Sequence, residues 1–367
     1  MNNKTSVCFV SSTLSKGGAE RALSNLLCNM DRSQLDISVL LLNGIVTYPV
    51  PEDVTIVDLR KRSAMYLPLC FMLLIKHLVR IKPDILISVW SFPSLLTGIA
   101  LKLSRLKTNW VVRVANNPAD QEDDWRKKVF YHLYQRAKRY IVLCDDLEEN
   151  FLAYYPFSKG KTRMIRNGFD LEALETKADE AIEDTWIKQK DYLVSVGSLT
   201  DQKRYDILLN AMAMVSPEKR LPLVVLGDGP LRQSLEKQTN ELQLTEWVIF
   251  KGFVTNPYPY VKHAKIFVLN SDYEGLCNAA IEAQCLGVPA VITDCPTGNR
   301  EIVVNGVTGY LVDMADPNKM AEGIEKVLNL NADDFQNMKN AASSLVGTKY
   351  RIENSAKQLN ELISEFG

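Results

Sequence analysis

The chain has almost no surplus charge: 43 Lys and Arg stand against 44 Asp and Glu in 367 residues, a net charge of -1. A nucleic-acid partner calls for a strong basic excess, so none is expected. Histidine is scarce, and His77, His132 and His263 are far apart without ligand spacing. With no Asp-x-Asp motif either, no metal site is expected. The seven cysteines include no Cys-x-x-Cys pair, and most lie in apolar contexts such as Val7-Cys8-Phe9. They read as buried free thiols of a reducing compartment, not as a disulfide frame. No secretory pattern opens the chain, because residues 1–5 lead straight into a strand. Long apolar runs are missing too. Residues 64–75 are broken by Pro68, and residues 85–101 contain Ser88, Ser91 and Pro93. Neither reaches the roughly 20 apolar residues of a spanning helix. No Gly-x-Gly-x-x-Gly follows the first strand and no nucleophile elbow is present, which argues against a dehydrogenase and a serine hydrolase. A cytoplasmic protein is expected, one that touches a membrane at most peripherally.

What is present is alternation. Short β-branched runs at 7–11, 37–42, 54–59, 85–90, 110–115 and 140–143 are separated by helical stretches. After a gap they resume at 193–196, 223–226, 248–250, 266–269 and 290–293. Continuous apolar runs between helices mark parallel strands buried on both faces. Two such series predict two doubly wound α/β domains. The gap, 170–190, is rich in Glu, Lys and Ala and reads as linker plus helix. Residues 350–366 form an amphipathic helical pattern.

The most informative stretch is 266–292, IFVLNSDYEGLCNAAIEAQCLGVPAVI. It reads as a strand, a polar loop at 270–275, and a helix capped by Asn278 that runs to about 286, with Gly287 and Pro289 as stops. Glu274 falls in the loop and Glu282 about one turn into the helix. At roughly 100° per residue, eight residues would place the second carboxylate about 80° around from the first, so the loop must carry Glu274 over the helix. Such a pair suits a ligand with hydroxyls at two places and a phosphate between them, at the positive helix N-terminus.

This segment, with the following DCPTGNREIV, resembles the E-x7-E signature of the retaining, GT-B-fold glycosyltransferases of family 4. The resemblance implies that Glu274 contacts the donor sugar and Glu282 the nucleotide ribose, with Gly275, Leu276, Cys277 and Asn278 lining the donor site. VSVGSLTDQKRYDILLNAM resembles the family's G-R-L…K-G-x-D-x-L stretch, whose Arg and Lys neutralise the donor diphosphate. Lys203 holds the Lys position, Ser198 replaces the Arg, and Arg204 stands where Gly is usual and would have to compensate. In LVVLGDGPLR, Gly227 and Gly229 fall near the nucleotide. Phe253, in Lys251-Gly252-Phe253, falls at the base pocket, and Thr297, Gly298 and Asn299 at the sugar end.

In the first half, SSTLSKGGAERALSNLL resembles the first loop of polysaccharide-assembling members. Gly17 and Gly18 would lie at the cleft, and a plain strand–helix turn explains them about as well. Glu20 and Arg21 read as a solvated local ion pair. In VVRVANNPAD, Asn116 and Asn117 stand where many relatives have His. Asparagine takes no proton, so a general base is not expected there. Asn167, in MIRNGFD, matches an Asn-Gly turn of the family, and a capping turn is nearly as good a reading.

The implied architecture is GT-B: an acceptor domain at 1–170, a linker at 171–190, a nucleotide-sugar domain at 191–348 facing it across a cleft, and a helix at 349–367 returning to the first domain. The implied function is metal-independent, retaining transfer of a hexose or N-acetylhexosamine from a nucleotide donor, expected to be UDP-linked, without other cofactor. Its acceptor would be a lipid-linked saccharide of cell-surface polysaccharide assembly. The alternative is a catalytically weak, membrane-surface or complex-building member of the fold. Two basic stretches point toward the inner leaflet. Arg60-Lys61-Arg62 and Lys76, Arg80 and Lys82 flank an apolar segment, and residues 125–139, WRKKVFYHLYQRAKR, form a basic aromatic helix. An ordinary helix with a lysine-rich outer face explains the latter equally well.

Overall fold

The computed structural model describes residues 4–366 apart from 16, 116, 119–123, 183 and 185–189, and apart from the side chains of 124–127. Two compact units emerge, residues 1–169 with 352–367, and residues 170–351. In the first, β1 (Thr5–Ser11), β2 (Leu35–Leu41), β3 (Thr55–Asp58), β4 (Ile85–Val89), β5 (Asn109–Arg113), β6 (Arg139–Val142) and β7 (Thr162–Met164) form one sheet. Its order is β3-β2-β1-β4-β5-β6-β7, all parallel. Buried runs such as ILISV in β4 leave no polar face, as expected of a sheet covered on both sides. Strand order reverses between β1 and β4. Helices α1 (Gly18–Asn29), α2 (Leu67–Ile81), α3 (Ser91–Ser104), α4 (Asp124–Tyr134) and α5 (Asp145–Tyr154) connect the strands.

The C-terminal helix, Ile352–Ser364, belongs to this first unit. Ile352, Ala356, Leu359 and Ile363, spaced four, three and four apart, form one stripe in the same core as Leu23, Leu26 and Leu27 of α1. Beyond its end, Glu365 accepts from Arg139 and Arg163, each at 2.9 Å.

One surface helix differs from expectation, and a second settles on one of the two readings offered for it. Pro68 does not break the apolar stretch. It falls in the first turn of α2, where a missing N–H costs nothing, and helix runs on from Ala64 to Ile81. By length and composition alone that helix is long and apolar enough to cross a membrane. It touches the core through one stripe, Cys70, Leu74 and Leu78, and leaves Met65 86% and Met72 59% exposed. In α4, by contrast, Phe130, Leu133 and Tyr134 are buried, and Tyr134 lies edge-on to Trp110. The aromatic face of α4 is core.

The second unit repeats the plan with β8 (Leu193–Val196), β9 (Leu223–Leu226), β10 (Val248–Gly252), β11 (Ile266–Leu269), β12 (Ala290–Thr293) and β13 (Gly309–Val312) in the order β10-β9-β8-β11-β12-β13. The order reverses between β8 and β11. The segment expected as linker contains α6 (Leu171–Ala178), capped by Asp170, with Leu174 and Ala178 packed on Tyr258 of the second unit. Then come α7 (Tyr205–Met214), α8 (Arg232–Glu241), α9 (Tyr258–His263) and α10 (Asn278–Cys285). Cys277 occupies the cap position of α10 and Asn278 is its first residue, so the expected Asn278 side-chain cap does not form. All seven cysteines are free and five are buried, whereas Cys28 is exposed.

Candidate active site

In an open parallel sheet, ligands bind beyond the carboxyl ends of the strands where the strand order reverses. In the second unit that point lies between β8 and β11, and the loops leaving these two strands carry the expected residues. Lys203 closes the turn after β8, and Glu274 lies in the loop after β11. They are 71 residues apart in sequence, yet the Lys203 ammonium and Glu274 Oε1 form an ion pair with side chains 15% and 8% exposed. Burial alone would lower the Lys203 pKa, but the charge of Glu274 outweighs it and holds the ammonium above its ordinary range.

The Glu274 carboxylate is fixed from other sides. Ser271 Oγ donates to the same oxygen at 2.7 Å, and Thr293 Oγ1 donates to the Ser271 carbonyl at 2.6 Å. Thr297 Oγ1 donates to the Glu274 carbonyl. Glu282 sits inside α10, 4% exposed, and accepts from the Tyr258 hydroxyl at 3.1 Å. Neighbouring Leu276 and Cys277 are buried, and burial pushes the Cys277 thiol up to about 12, so it stays protonated and unreactive. Gly275 in this loop and Asn278 at the start of α10 are half-buried.

Arg204, expected to compensate for Ser198, is held by two carboxylates. Its backbone is left-handed, φ 42° and ψ 45°, the conformation that explains why glycine is usual there. Its guanidinium donates to Asp206 at 3.1 Å and to Asp272 at 3.1 and 3.2 Å. Asp206 first, then Asp272, holds its pKa above the usual arginine value. Two carboxylates thus match a charge that was expected to face a diphosphate in place of an arginine at 198.

Gly227, at φ +151°, lies so close to the Gly197 carbonyl that any Cβ would collide with it, and Gly229 is seated likewise on the Leu199 carbonyl. These glycines let the loop after β9 close onto the loop after β8. Phe253 follows β10 and is 62% exposed.

In the first unit, Gly17 and Gly18 stand at the start of α1, beside the reversal point of that sheet. Glu20 is not a solvated ion-pair partner. It is 8% exposed, its Oε2 has no hydrogen-bond partner, and burial raises its carboxyl pKa. A Cβ on Gly17 would occupy the space that this carboxylate fills. Arg21 instead lies over the Tyr48 ring at 5.4 Å. Asn117 and Asn167 are buried, 1% and 3% exposed, and Asn167 Oδ1 accepts from Arg113 Nη2 at 2.5 Å. Asn116 lies outside the described residues. Among the described residues no group of three or more His, Cys, Asp or Glu is arranged to hold a metal ion.

The residues that sequence reasoning missed are the supports: Ser271, Asp272, Thr293 and Tyr258. Ser271 and Asp272 sit beside the Glu274 motif, a signal that proximity alone offered. Tyr258 is 24 residues from Glu282 and carries no local mark.

Residues 16–173 match the family model described as Glycosyltransferase Family 4, and residues 177–344 match that of Glycosyl transferases group 1. An uncharacterized glycosyltransferase of Methanocaldococcus jannaschii is 29% identical over 63% of this chain, a match that spans 60% of that relative's length. The N-acetylgalactosamine-N,N'-diacetylbacillosaminyl-diphospho-undecaprenol 4-alpha-N-acetylgalactosaminyltransferase of Campylobacter jejuni is 28% identical over 86% of this chain and 88% of its own. Among solved structures, Anabaena HepE in complex with UDP-glucose superposes with a TM-score of 0.83 at 17% identity, over 98% of this chain and 99% of that one. Matched in succession by these two models over most of its length, the chain belongs to glycosyltransferase family 4 and has the GT-B fold.

Proposed function

We propose that this chain transfers a hexose or N-acetylhexosamine from a UDP-sugar to a lipid-linked saccharide in surface-polysaccharide assembly, with retention of configuration and without a bound metal. The observation that carries the reading is the buried Lys203–Glu274 pair at the strand reversal of the second unit, with Glu282 one turn into the next helix. A leaving diphosphate needs a fixed cation as the glycosidic bond breaks, and Lys203 is one held in place. The cap position of α10 is held by Cys277, whose thiol is a weak partner for backbone N–H groups, and a helix N-terminus is a ready site for an anion. Glu274 orients the sugar and Glu282 the ribose. Retention requires no side-chain base, because the departing phosphate oxygen accepts the acceptor's proton on the same face. The UDP donor is supported by the ligand of HepE, and the lipid-linked acceptor by the printed activity of the Campylobacter relative.

A panel of nucleotide sugars read by thermal shift tests this. UDP-sugars are expected to raise the melting temperature in the presence of EDTA, and GDP-, ADP- and CMP-sugars are not. Were no nucleotide sugar to shift it, the weakly catalytic, complex-building alternative, motivated by Ser198 at the usual Arg position, would replace this reading.

A lipid-linked acceptor places the enzyme at a membrane, and the helix Ala64–Ile81 fits that contact. Its outer face carries exposed Met65, Tyr66, Met72 and Val79 with exposed Lys76 and Arg80 among them, and exposed Arg62 and Lys82 beyond its ends. Apolar burial and attraction to anionic headgroups add together on such a face. Flotation with phosphatidylglycerol-rich vesicles is expected to recover the protein, and Met72→Asp to weaken that binding about tenfold. Equal recovery on pure phosphatidylcholine would contradict the role of these basic residues.

A further inference from the structure

The first unit holds a buried cation that no described carboxylate balances. Arg113 ends β5 and pairs in register with Val89, the last residue of β4, so the turn after β4 lies beside it. Its side chain is 2% exposed, and among the described residues no carboxylate faces it. Nη2 donates to Asn167, whereas Nε and Nη1 have no acceptor. Burial alone pulls the guanidinium down to about 10, still far above neutrality, so the group remains charged. Nearby tyrosines do not supply a counter-charge, because burial pushes the Tyr155 hydroxyl up to about 12 and that of Tyr134 further. A charge taken out of water without a partner is strongly unfavourable, and proteins rarely keep one without use.

The neighbouring turn adds two independent marks. Trp90 adopts φ 77° and ψ 157°, a region that side-chain-bearing residues rarely enter, and strain of this kind collects at ligand sites. Its Nε1 is a further buried N–H without an acceptor. Directly after it Ser91 opens α3, a helix of 14 residues whose N-terminus is the positive end. Beside Ser91 and Arg113 lies a small cavity of about 10 Å³, lined also by Pro118, Tyr134 and Tyr155. That is room for about one water-sized group. Two guanidinium nitrogens of a lining arginine without acceptors, a helix N-terminus and a void of one oxygen's size all ask for the same thing, an anionic oxygen.

We propose that this pocket is an oxyanion subsite of the first unit, which seats one oxygen of a phosphate or carboxylate carried by the saccharide acceptor. The acceptor's role rests on the function proposed above; the anion site itself does not. Nothing larger than an oxygen enters, so the sugar ring stays outside and is positioned by its charged substituent. An acceptor lacking that substituent would bind more weakly.

The test is thermal shift of the full chain with sodium phosphate, pyrophosphate or glucuronate against chloride at equal ionic strength, with UDP at saturation. The wild type is expected to gain stability from at least one of the three, and which arm responds separates phosphate from carboxylate. Arg113→Met is expected to lose at least tenfold in affinity for that anion, to keep its response to UDP, and to melt in chloride no lower than the wild type. An absent anion response in the wild type, or an undiminished one in Arg113→Met, would overturn the proposal. If Arg113→Met does not fold, the ¹⁵N resonance of Arg113 Nε in the wild type answers instead: it moves on adding the anion, or the proposal is wrong. Loss of the UDP response alone counts against the transferase reading and leaves this site standing.

Discussion

Lys203→Met is expected to lower kcat by about 10²–10³-fold with little change in donor affinity, the loss seen when one preorganised charge is removed from a developing anion. Stability falls as well, because the variant leaves the Glu274 carboxylate buried without its cation. Breaking such a pair costs about 3–5 kcal/mol. The two effects are separable. Adding Glu274→Gln removes the orphan charge and is expected to recover most of the melting temperature, while turnover stays low. Steady-state kinetics and a melting curve on both variants decide it. A Lys203→Met enzyme that melts low but turns over at the wild-type rate would make the pair a structural one.

Glu282→Ala is expected to raise the Kd for UDP about 10- to 100-fold, the worth of one or two hydrogen bonds to a charged acceptor. The carboxylate is held inside α10 and accepts from Tyr258 at 3.1 Å, so it meets the ribose already oriented. Tyr258→Phe keeps the charge and loses the orientation, so a smaller rise of about threefold is expected. Calorimetric titration with UDP and with uridine checks both. Equal affinity in wild type and Glu282→Ala would move the ribose elsewhere.

The two sheets were legible because buried parallel strands are continuous apolar runs, and runs such as ILISV and LVVL have few other readings. The edge strands β7 and β13 were not. TRM is three residues with no buried position, and β13 opens on Gly309 at φ +150°. The local pattern around Glu274 and Glu282 was legible as loop and helix, but its electrostatics were not. Lys203 reaches Glu274 across 71 residues, and the left-handed backbone that turns Arg204 toward Asp206 and Asp272 has no sequence mark beyond a missing glycine. Glu20 was misread because a polar GAER turn looks solvated, whereas the glycine before it makes room for the carboxylate inside. Arg113 sat in view within VVRVA, and strand periodicity says nothing about whether a terminal arginine finds a partner.

The most direct trial of the account is UDP release by the wild type from a panel of UDP-hexoses and UDP-N-acetylhexosamines, with and without an undecaprenyl-diphosphate-linked saccharide. The account predicts release with one donor that depends on the acceptor, persists in EDTA and is abolished by Lys203→Met together with Glu274→Gln. Release that ignores the acceptor, or that survives the double substitution, would contradict it.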